Sequence, residues 1–164
     1  MAKAASYYLK NETTGFRNDC SGFVCASLDR AGLQLTGSTR SMWDRAKTEG
    51  ATHRRKLPEP GDLAFFDNTY DRNKNGRFDD PLSHIAVVVD VEPDGTILMA
   101  HDGTGRGRST LTMNLHQPDL RATEDGKVLN DWLRRKRPGD PPSARYLAGE
   151  LWRGFASPDA MGLR

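Results

Sequence analysis

The chain has 164 residues, of which 36% are hydrophobic, so it is long enough to bury the core of one domain. Its formal net charge is only +2, which suits a polyanionic surface such as a bacterial cell wall but equally suits a neutral partner. No run approaches the ~18 apolar residues of a transmembrane helix, so a membrane-spanning segment is excluded.

The first part of the chain predicts helices and the middle predicts strands. Apolar spacing favours helices at residues 2–10, 20–31 and 38–47, the third of them capped by Ser38 or Thr39. Apolar and β-branched runs favour strands at residues 62–66, 84–91, 96–101 and 108–115. The turn EPDG makes the middle two of these strands an antiparallel hairpin.

Two later segments complete the prediction. DGTGRGR, residues 102–108, is typical of a mobile loop. In the tail, Leu147, Leu151 and Phe155 recur at four-residue intervals. This spacing predicts a helix over residues 144–155 that packs on the core.

The chain contains two cysteines, Cys20 and Cys25, both in the second predicted helix. Five residues correspond to about 140° of rotation around a helix, so the two thiols face different directions and cannot form a disulfide. The paired spacing of zinc-binding cysteines is also missing. Cys25 is expected to be a small core residue. Cys20 follows a cap at Asn18 or Asp19, and in this first turn the helix dipole is expected to lower the pKa of its thiol.

Two of the four histidines lie at one end of the predicted hairpin. His84 opens the first strand and His101 ends the second, so their imidazoles can approach each other away from the turn. The alternative is a pair of polar strand ends with no shared role. His53 and His116 lie in polar segments and are expected to be solvated surface residues.

NDCSGFV, LPEPGDLAFF and SHIAVVV follow one another along the chain, before a strand that ends in a histidine. This ordered set resembles the NlpC-type cell-wall cysteine peptidases, a papain-like family, over roughly residues 3–115. The resemblance implies an α+β fold in which the helix bearing Cys20 packs on an antiparallel sheet of about five strands. Residues 116–164 would be a C-terminal extension of unknown role within a single catalytic domain, residues 1–164.

The sequence departs from the family pattern in several places. NETTG replaces a Gly-Gly segment, Asp44 stands where a glutamine is usual, and the spacing between His84 and His101 is longer. A polar insertion also precedes His84. These departures concern substrate binding rather than the nucleophile.

The resemblance implies a role for each matched residue. Cys20 would be the nucleophile, His84 would form a thiolate–imidazolium pair with it and protonate the leaving amine, and His101 would orient His84. The backbone N–H of Cys20 and the hydroxyl of Tyr8 are the candidate oxyanion donors. The candidate substrate-binding residues are Asp19, Ser21, Arg40 and Ser41. For Asp19 and Ser21, helix capping explains their presence equally well.

By family, the reaction would be hydrolysis of an amide bond in a peptidoglycan stem peptide, typically between D-glutamate and diaminopimelate or lysine. No cofactor would be needed for catalysis, and the partner would be peptidoglycan or muropeptides. The same residues also serve amidases, acyltransferases and deamidating effectors that act on proteins or lipids. An inactive wall-binding module would be expected to lack Cys20 or His84, and both are present.

Location and further partners are less constrained by the sequence. MAKAASYYLKNETTG lacks the apolar core of a signal peptide, so the sequence is either cytosolic or a mature domain whose export signal is absent. Because the resemblance is to cell-wall peptidases, it implies export to the periplasm, the envelope or the medium. LRRKRP, residues 133–138, has no interleaved aromatic residues, so nucleic acid is not an expected partner. The oligomeric state stays open.

The insertion DRNKNGRFDD, residues 71–80, follows the pattern of a calcium-binding loop. The candidate ligands are Asp71, Asn73, Asn75, Arg77 (through its carbonyl), Asp79 and Asp80. Leu82 stands at the twelfth position, where a bidentate glutamate is usual, so one of the last two aspartates would complete the ligand set. A structural calcium ion is the favoured interpretation, and an ordinary polar turn is the alternative.

Overall fold

Three helices precede a sheet in the computed structural model, which describes residues 1–103 and 107–163. The helices are α1 (Ala2–Tyr8), α2 (Cys20–Arg30), α3 (Thr39–Thr48) and the short α4 (Ala148–Leu151). The strands are β1 (Thr52–His53), β2 (Leu63–Phe66), β3 (His84–Val91), β4 (Thr96–Gly103), β5 (Gly107–Asn114) and β6 (Trp152–Ala156), and a 3-10 helix (Pro158–Met161) follows. The three predicted N-terminal helices and the four predicted strands are therefore present, close to their expected boundaries.

Within the described residues, the six strands form one antiparallel sheet in the order β1-β6-β2-β3-β4-β5. On β3, His84 pairs with Phe66 of β2, and Val87 pairs with Ala100 of β4. The α+β class and the antiparallel sheet behind the Cys20 helix are thus confirmed. The strands that the sequence did not predict are β1 and β6.

The helix that bears Cys20 is held against one face of the sheet. Eight of the eleven residues of α2 are buried. Phe23 and Leu28 share a core cluster with Phe65 of β2 and Ile85 of β3. Full burial of a Leu or Phe side chain contributes about 1.5–3 kcal/mol, so these contacts fix the orientation of the helix. The position of Cys20 follows from that orientation.

The opposite face of the sheet is covered by the C-terminal part of the chain. A second core cluster joins Phe66, Met99 and Met113 of the sheet to Leu151 of α4 and Phe155 of β6. Residues beyond 115 therefore contribute to the core.

The prediction of a helix over residues 144–155 is wrong. Only α4 is helical there, and β6 follows it between β1 and β2. A strand in this position satisfies its backbone N–H and C=O groups on both sides, which outweighs the local apolar spacing. Leu147, Leu151 and Phe155 are nevertheless only 5%, 2% and 0% exposed, so the predicted packing of these three side chains on the core is confirmed.

The mobile loop predicted at residues 102–108 is strand at both ends. Asp102 pairs with Arg108, and Gly103 pairs with Gly107, across β4 and β5. Residues 104–106 lie outside the described part of the structure. The β4–β5 hairpin thus extends beyond His101 and gives it a neighbour on β5.

His53 is not the solvated residue that the sequence suggested. It lies on β1 with a side chain only 16% exposed, and its Nε2 lies 3.0 Å from Oδ2 of the buried Asp62. This contact links β1 to the turn before β2. His116 is exposed, as expected.

Both cysteines are free thiols, as their helical spacing predicts, and Cys25 is buried in the core. In the part of the chain that the structure describes, the helices are too short or too polar to cross a bilayer.

Candidate active site

Cys20 is the first residue of α2, and the residues around it build the start of that helix. Asp19 has the extended backbone of an N-cap, and its Oδ1 accepts hydrogen bonds from the Gly22 backbone N–H (2.7 Å) and from the Ser21 hydroxyl (2.8 Å). Arg17 forms an ion pair with Asp19 (3.3 Å) and donates to the Ser21 hydroxyl (2.7 Å). Asp19 is therefore the N-cap of α2 and Ser21 holds its carboxylate in place, and the role of both in substrate binding stays a prediction.

Gly22 is required by the same turn. A Cβ atom at this position would lie 1.9 Å from the carbonyl oxygen of Arg17, far inside van der Waals contact. The chain before the nucleophile thus folds back against the first turn of α2, and only glycine leaves the room. This gives a physical reason for the glycine two residues after Cys20.

The thiol of Cys20 is partly buried between α3 and β3. Its Sγ lies 3.9 Å from Oγ1 of Thr39, and it is hydrogen-bonded by the backbone of Ile85, the residue after His84. Burial raises the pKa of this thiol above its ordinary value, while the hydrogen bonds from Ile85 and Thr39 act in the opposite direction. The thiol is therefore neutral before substrate binds. The expected lowering of the pKa is wrong, because loss of hydration outweighs the hydrogen bonds that favour the thiolate.

His84 and His101 meet as the hairpin predicts. Nε2 of His84 lies 2.8 Å from Nδ1 of His101, and the two ring planes are almost perpendicular, at 89°. Both side chains are buried. Burial, and secondarily the neighbouring His101, lower the pKa of His84 well below its ordinary value. His84 is therefore a neutral imidazole at rest, with Nε2 engaged by His101.

Ser109 is a member of this site that the sequence did not predict. Its hydroxyl oxygen lies 3.1 Å from Nε2 of His101, directly across the β4–β5 pair. Gly103 packs against the same ring, since a Cβ there would lie 3.1 Å from Cε1 of His101. The exact hairpin register would have revealed Ser109, but β-strand patterns alone do not give it.

Thr39 is a second residue whose place in the site the sequence did not predict. It was expected only as a possible cap, yet it is buried and its hydroxyl faces Cys20. Ser38 is the actual N-cap of α3, and the neighbouring Ser41 completes its capping box, since its hydroxyl accepts from the Ser38 backbone N–H (2.8 Å). Arg40 is exposed on α3. The predicted substrate contacts of Arg40 and Ser41 stay predictions.

Tyr8 ends α1 and packs against the same core cluster as Cys20. Its ring meets that of Tyr7 edge to face at 5.2 Å, and the guanidinium of Arg30 lies 5.9 Å from it. The proposed donation from the Tyr8 hydroxyl to an oxyanion stays a prediction.

A cavity of about 740 Å³ lies between the segment before Cys20 and the β4–β5 hairpin. Its lining residues are Glu12, Thr13, Thr14, Phe16, Asn18, Asp102, Gly107 and Arg108. A different cavity of about 630 Å³ lies near β1 and β6, with Trp43, Trp152 and Arg153 in its wall. Only the first adjoins residues next to both Cys20 and His101, so it is the candidate substrate cleft.

The predicted calcium loop is a closed turn held by its own side chains. Asp71 accepts hydrogen bonds from the backbone N–H groups of Asn75 (3.1 Å) and Gly76 (2.9 Å), and Asn73 also accepts from Asn75 (3.0 Å). Across residues 1–103 and 107–163, no group of three or more His, Cys, Asp or Glu side chains is arranged to hold a metal ion. Asp71, Asp79 and Asp80 thus do not converge, and a calcium ion would depend on amide and carbonyl oxygens. Calcium binding stays a prediction.

The family model of the CHAP domain matches residues 10–103, more than half of the chain. The chain belongs to the CHAP domain family. Cys20, His84 and His101 lie inside the matched range, whereas Tyr8 and Ser109 lie outside it. The identification as a papain-like cysteine peptidase of the NlpC type is confirmed at the level of the family group.

A solved structure provides a second comparison. The chain is 21% identical to a protein from Staphylococcus aureus subsp. aureus Mu50 described as similar to lipoprotein, NLP/P60 family, with a TM-score of 0.43. The match covers 79% of this chain but only 42% of that protein. No curated protein matches the chain. Membership of the CHAP domain family indicates a hydrolase of the cysteine peptidase or amidase type.

Proposed function

We propose that this CHAP domain hydrolyses an amide bond in peptidoglycan stem peptides, of the type between D-glutamate and diaminopimelate or lysine. Cys20 is the nucleophile, His84 the general base and acid, and His101 the residue that orients His84. The observation that carries the proposal is the 2.8 Å contact between His84 and His101, next to the thiol that Ile85 hydrogen-bonds.

The reaction starts from two neutral groups. Since His101 engages Nε2 of His84, Nδ1 of His84 is the nitrogen left to take the thiol proton. The Cys20 sulfur attacks the carbonyl carbon as its proton moves to Nδ1, and a tetrahedral oxyanion forms. Proton transfer coupled to attack avoids a buried thiolate in the resting protein, which agrees with the raised pKa of Cys20 and the lowered pKa of His84.

The second half of the reaction returns the proton. The His84 imidazolium protonates the leaving amine as the C–N bond breaks, and a thioester to Cys20 remains. A water molecule then gives a proton to His84 and attacks the thioester. The C–S bond breaks, the carboxylic acid is released, and the proton on His84 returns to the Cys20 sulfur, which restores the thiol. The backbone N–H of Cys20, at the start of α2, is the first oxyanion donor, and the hydroxyl of Tyr8 is the candidate second donor.

The cleft lined by Asn18, two residues before Cys20, and by Asp102, next to His101, is large enough for a peptide-sized substrate. Arg108 lines it and is fixed by three partners: its Nε lies 3.6 Å from Asp102, its Nη2 donates to the Thr13 hydroxyl (2.9 Å), and its Nη1 donates to the Asn11 carbonyl. These contacts hold the segment before Cys20 against the hairpin that carries His101. The cleft wall is therefore preformed. Peptidoglycan or muropeptides are the proposed partner, in the periplasm, the envelope or the medium, and no cofactor takes part.

Mass spectrometry of purified peptidoglycan after incubation with the protein tests this proposal. We expect new muropeptide fragments cut on the carboxyl side of D-glutamate, and none with His84→Ala. If the wild-type protein leaves the muropeptides intact, the proposed substrate is wrong. Amidase, acyltransferase or deamidase activity on a protein or lipid would then be the remaining use of the same residues.

A further inference from the structure

Ser109 and His84 are connected through the two nitrogens of His101. Nδ1 of His101 lies 2.8 Å from Nε2 of His84, and Nε2 of His101 lies 3.1 Å from the Ser109 hydroxyl oxygen. A neutral imidazole has one N–H and one lone pair, so a partner at one nitrogen sets the role of the other. Whether Ser109 accepts or donates a hydrogen bond therefore affects which nitrogen of His84 carries its proton.

Two arrangements of protons fit these distances. In the first, His101 donates from Nε2 to Ser109 and accepts at Nδ1 from the Nε2–H of His84, which leaves a lone pair on Nδ1 of His84. In the second, Ser109 donates to Nε2 of His101, and Nδ1–H of His101 donates to Nε2 of His84. His84 then carries its proton on Nδ1 and cannot accept the proton of Cys20.

Only the first arrangement is compatible with both neutral His84 and the His84 imidazolium that forms during catalysis. When His84 takes the thiol proton, both of its nitrogens carry hydrogen, and its Nε2–H still donates to the lone pair on His101 Nδ1. In the second arrangement Nδ1 of His84 is already protonated, so an imidazolium could form only by adding a proton to Nε2, opposite the Nδ1–H of His101 at 2.8 Å. A partner that holds the wrong tautomer of a catalytic histidine can lower kcat by about 10⁴-fold.

We propose that Ser109 is a positioning residue which, as a hydrogen-bond acceptor, holds His101 and hence His84 in the tautomers that catalysis needs. The inference rests on the proposed function, and it places Ser109 behind His101 rather than in contact with the substrate. The strand pairing of Ser109 with His101 fixes the distance, and Gly103 leaves room for the ring, since a Cβ atom there would lie 3.1 Å from Cε1 of His101.

Nitrogen-15 NMR of the histidine rings tests the proposal without any substrate. In the wild type we expect both His84 and His101 to carry their proton on Nε2 at neutral pH. Ser109→Ala should introduce a population with the proton on Nδ1 of His101, whereas Ser109→Thr, which keeps the hydroxyl, should retain the wild-type pattern. A wild-type His101 with its proton on Nδ1 would overturn the proposal, whether or not the protein cleaves peptidoglycan.

Steady-state kinetics on a purified muropeptide provides the second readout. We expect Ser109→Ala to lower kcat on the order of tenfold with little change in KM, and Ser109→Thr to restore most of the loss. Thr110→Ala is the matched control, because it removes a hydroxyl from the next, exposed position of β5. Equal kcat values for Ser109→Ala and Thr110→Ala, with both variants folded, would contradict the role of Ser109.

Discussion

Nε2 of His84 and Nδ1 of His101 lie 2.8 Å apart, with their ring planes at 89°. This contact uses the Nε2 side of His84 and leaves its Nδ1 side for the nucleophile. In the proposed mechanism the two rings are unequal partners, because His84 exchanges the proton and His101 only orients His84.

The two histidines should therefore differ in the effect of their removal. We expect His84→Ala to lower kcat by several orders of magnitude, as Cys20→Ala does, because groups that act as a unit fail together. His101→Ala should cost less, since water can partly replace an orienting group. Initial rates on a purified muropeptide measure this order, and a His101→Ala variant as inactive as His84→Ala would contradict it.

The raised pKa of Cys20 has a direct chemical readout. Burial holds the thiol neutral, so iodoacetamide labelling should reach half its maximum above pH ~8.5, the value of an unperturbed cysteine. In a Cys25→Ala background, Cys20 is the single thiol that iodoacetamide can label. Thr39→Val removes a hydrogen bond that lowers the pKa and should move the curve further upward. Rapid labelling near neutral pH would show a thiolate at rest instead.

The lowered pKa of His84 predicts a dependence of stability on pH. The folded protein keeps His84 neutral, whereas in the unfolded chain a histidine takes up a proton below pH ~6.5. The free energy of unfolding should therefore fall as the pH decreases from about 7 to about 5, with up to ~1.4 kcal/mol per pH unit from this group.

Urea unfolding at several pH values measures that slope. His84→Gln should make the slope shallower by the contribution of one proton, whereas the exposed His116→Gln should leave it unchanged. Equal slopes in the wild type and in His84→Gln would rule out a buried neutral His84.

The tail contributes to the core, so its disruption should unfold the protein. Phe155 is fully buried on β6, and Phe155→Ala should cost about 3–5 kcal/mol of unfolding free energy. Tyr70→Ala, at a 45% exposed aromatic residue, is the matched control and should cost much less. If thermal melting gave the same melting temperature for both variants, β6 would not unfold together with the rest of the domain.

Calcium binding by residues 71–80 is tested by calorimetry on the intact chain. If the prediction holds, heat of binding appears at or below millimolar calcium and the melting temperature rises. Asp71→Ala should remove both effects and leave cysteine labelling unchanged. Absence of binding heat would reduce the segment to the hydrogen-bonded turn that Asp71 and Asn73 already form.

The sequence predicted the features that depend on local patterns. A β-branched run, a short turn and a second strand were enough to bring His84 and His101 together, and a capped apolar helix was enough to place Cys20 at its start. β6 was missed because a strand is defined by its partners, and those partners, β1 and β2, lie about a hundred residues earlier in the chain. The direction of the Cys20 pKa was missed for a similar reason. The helix start is a local feature, whereas the burial that raises the pKa of this thiol exists only in the folded protein.

In the proposed mechanism Cys20, and not Cys25, performs the chemistry. The rate at which each single alanine variant cleaves a purified muropeptide tests this most directly, because the two residues share one helix and one side-chain type. We expect Cys20→Ala to fold and to lose activity by several orders of magnitude, and Cys25→Ala to keep most of it. An active Cys20→Ala variant, or an inactive but folded Cys25→Ala variant, would contradict the account.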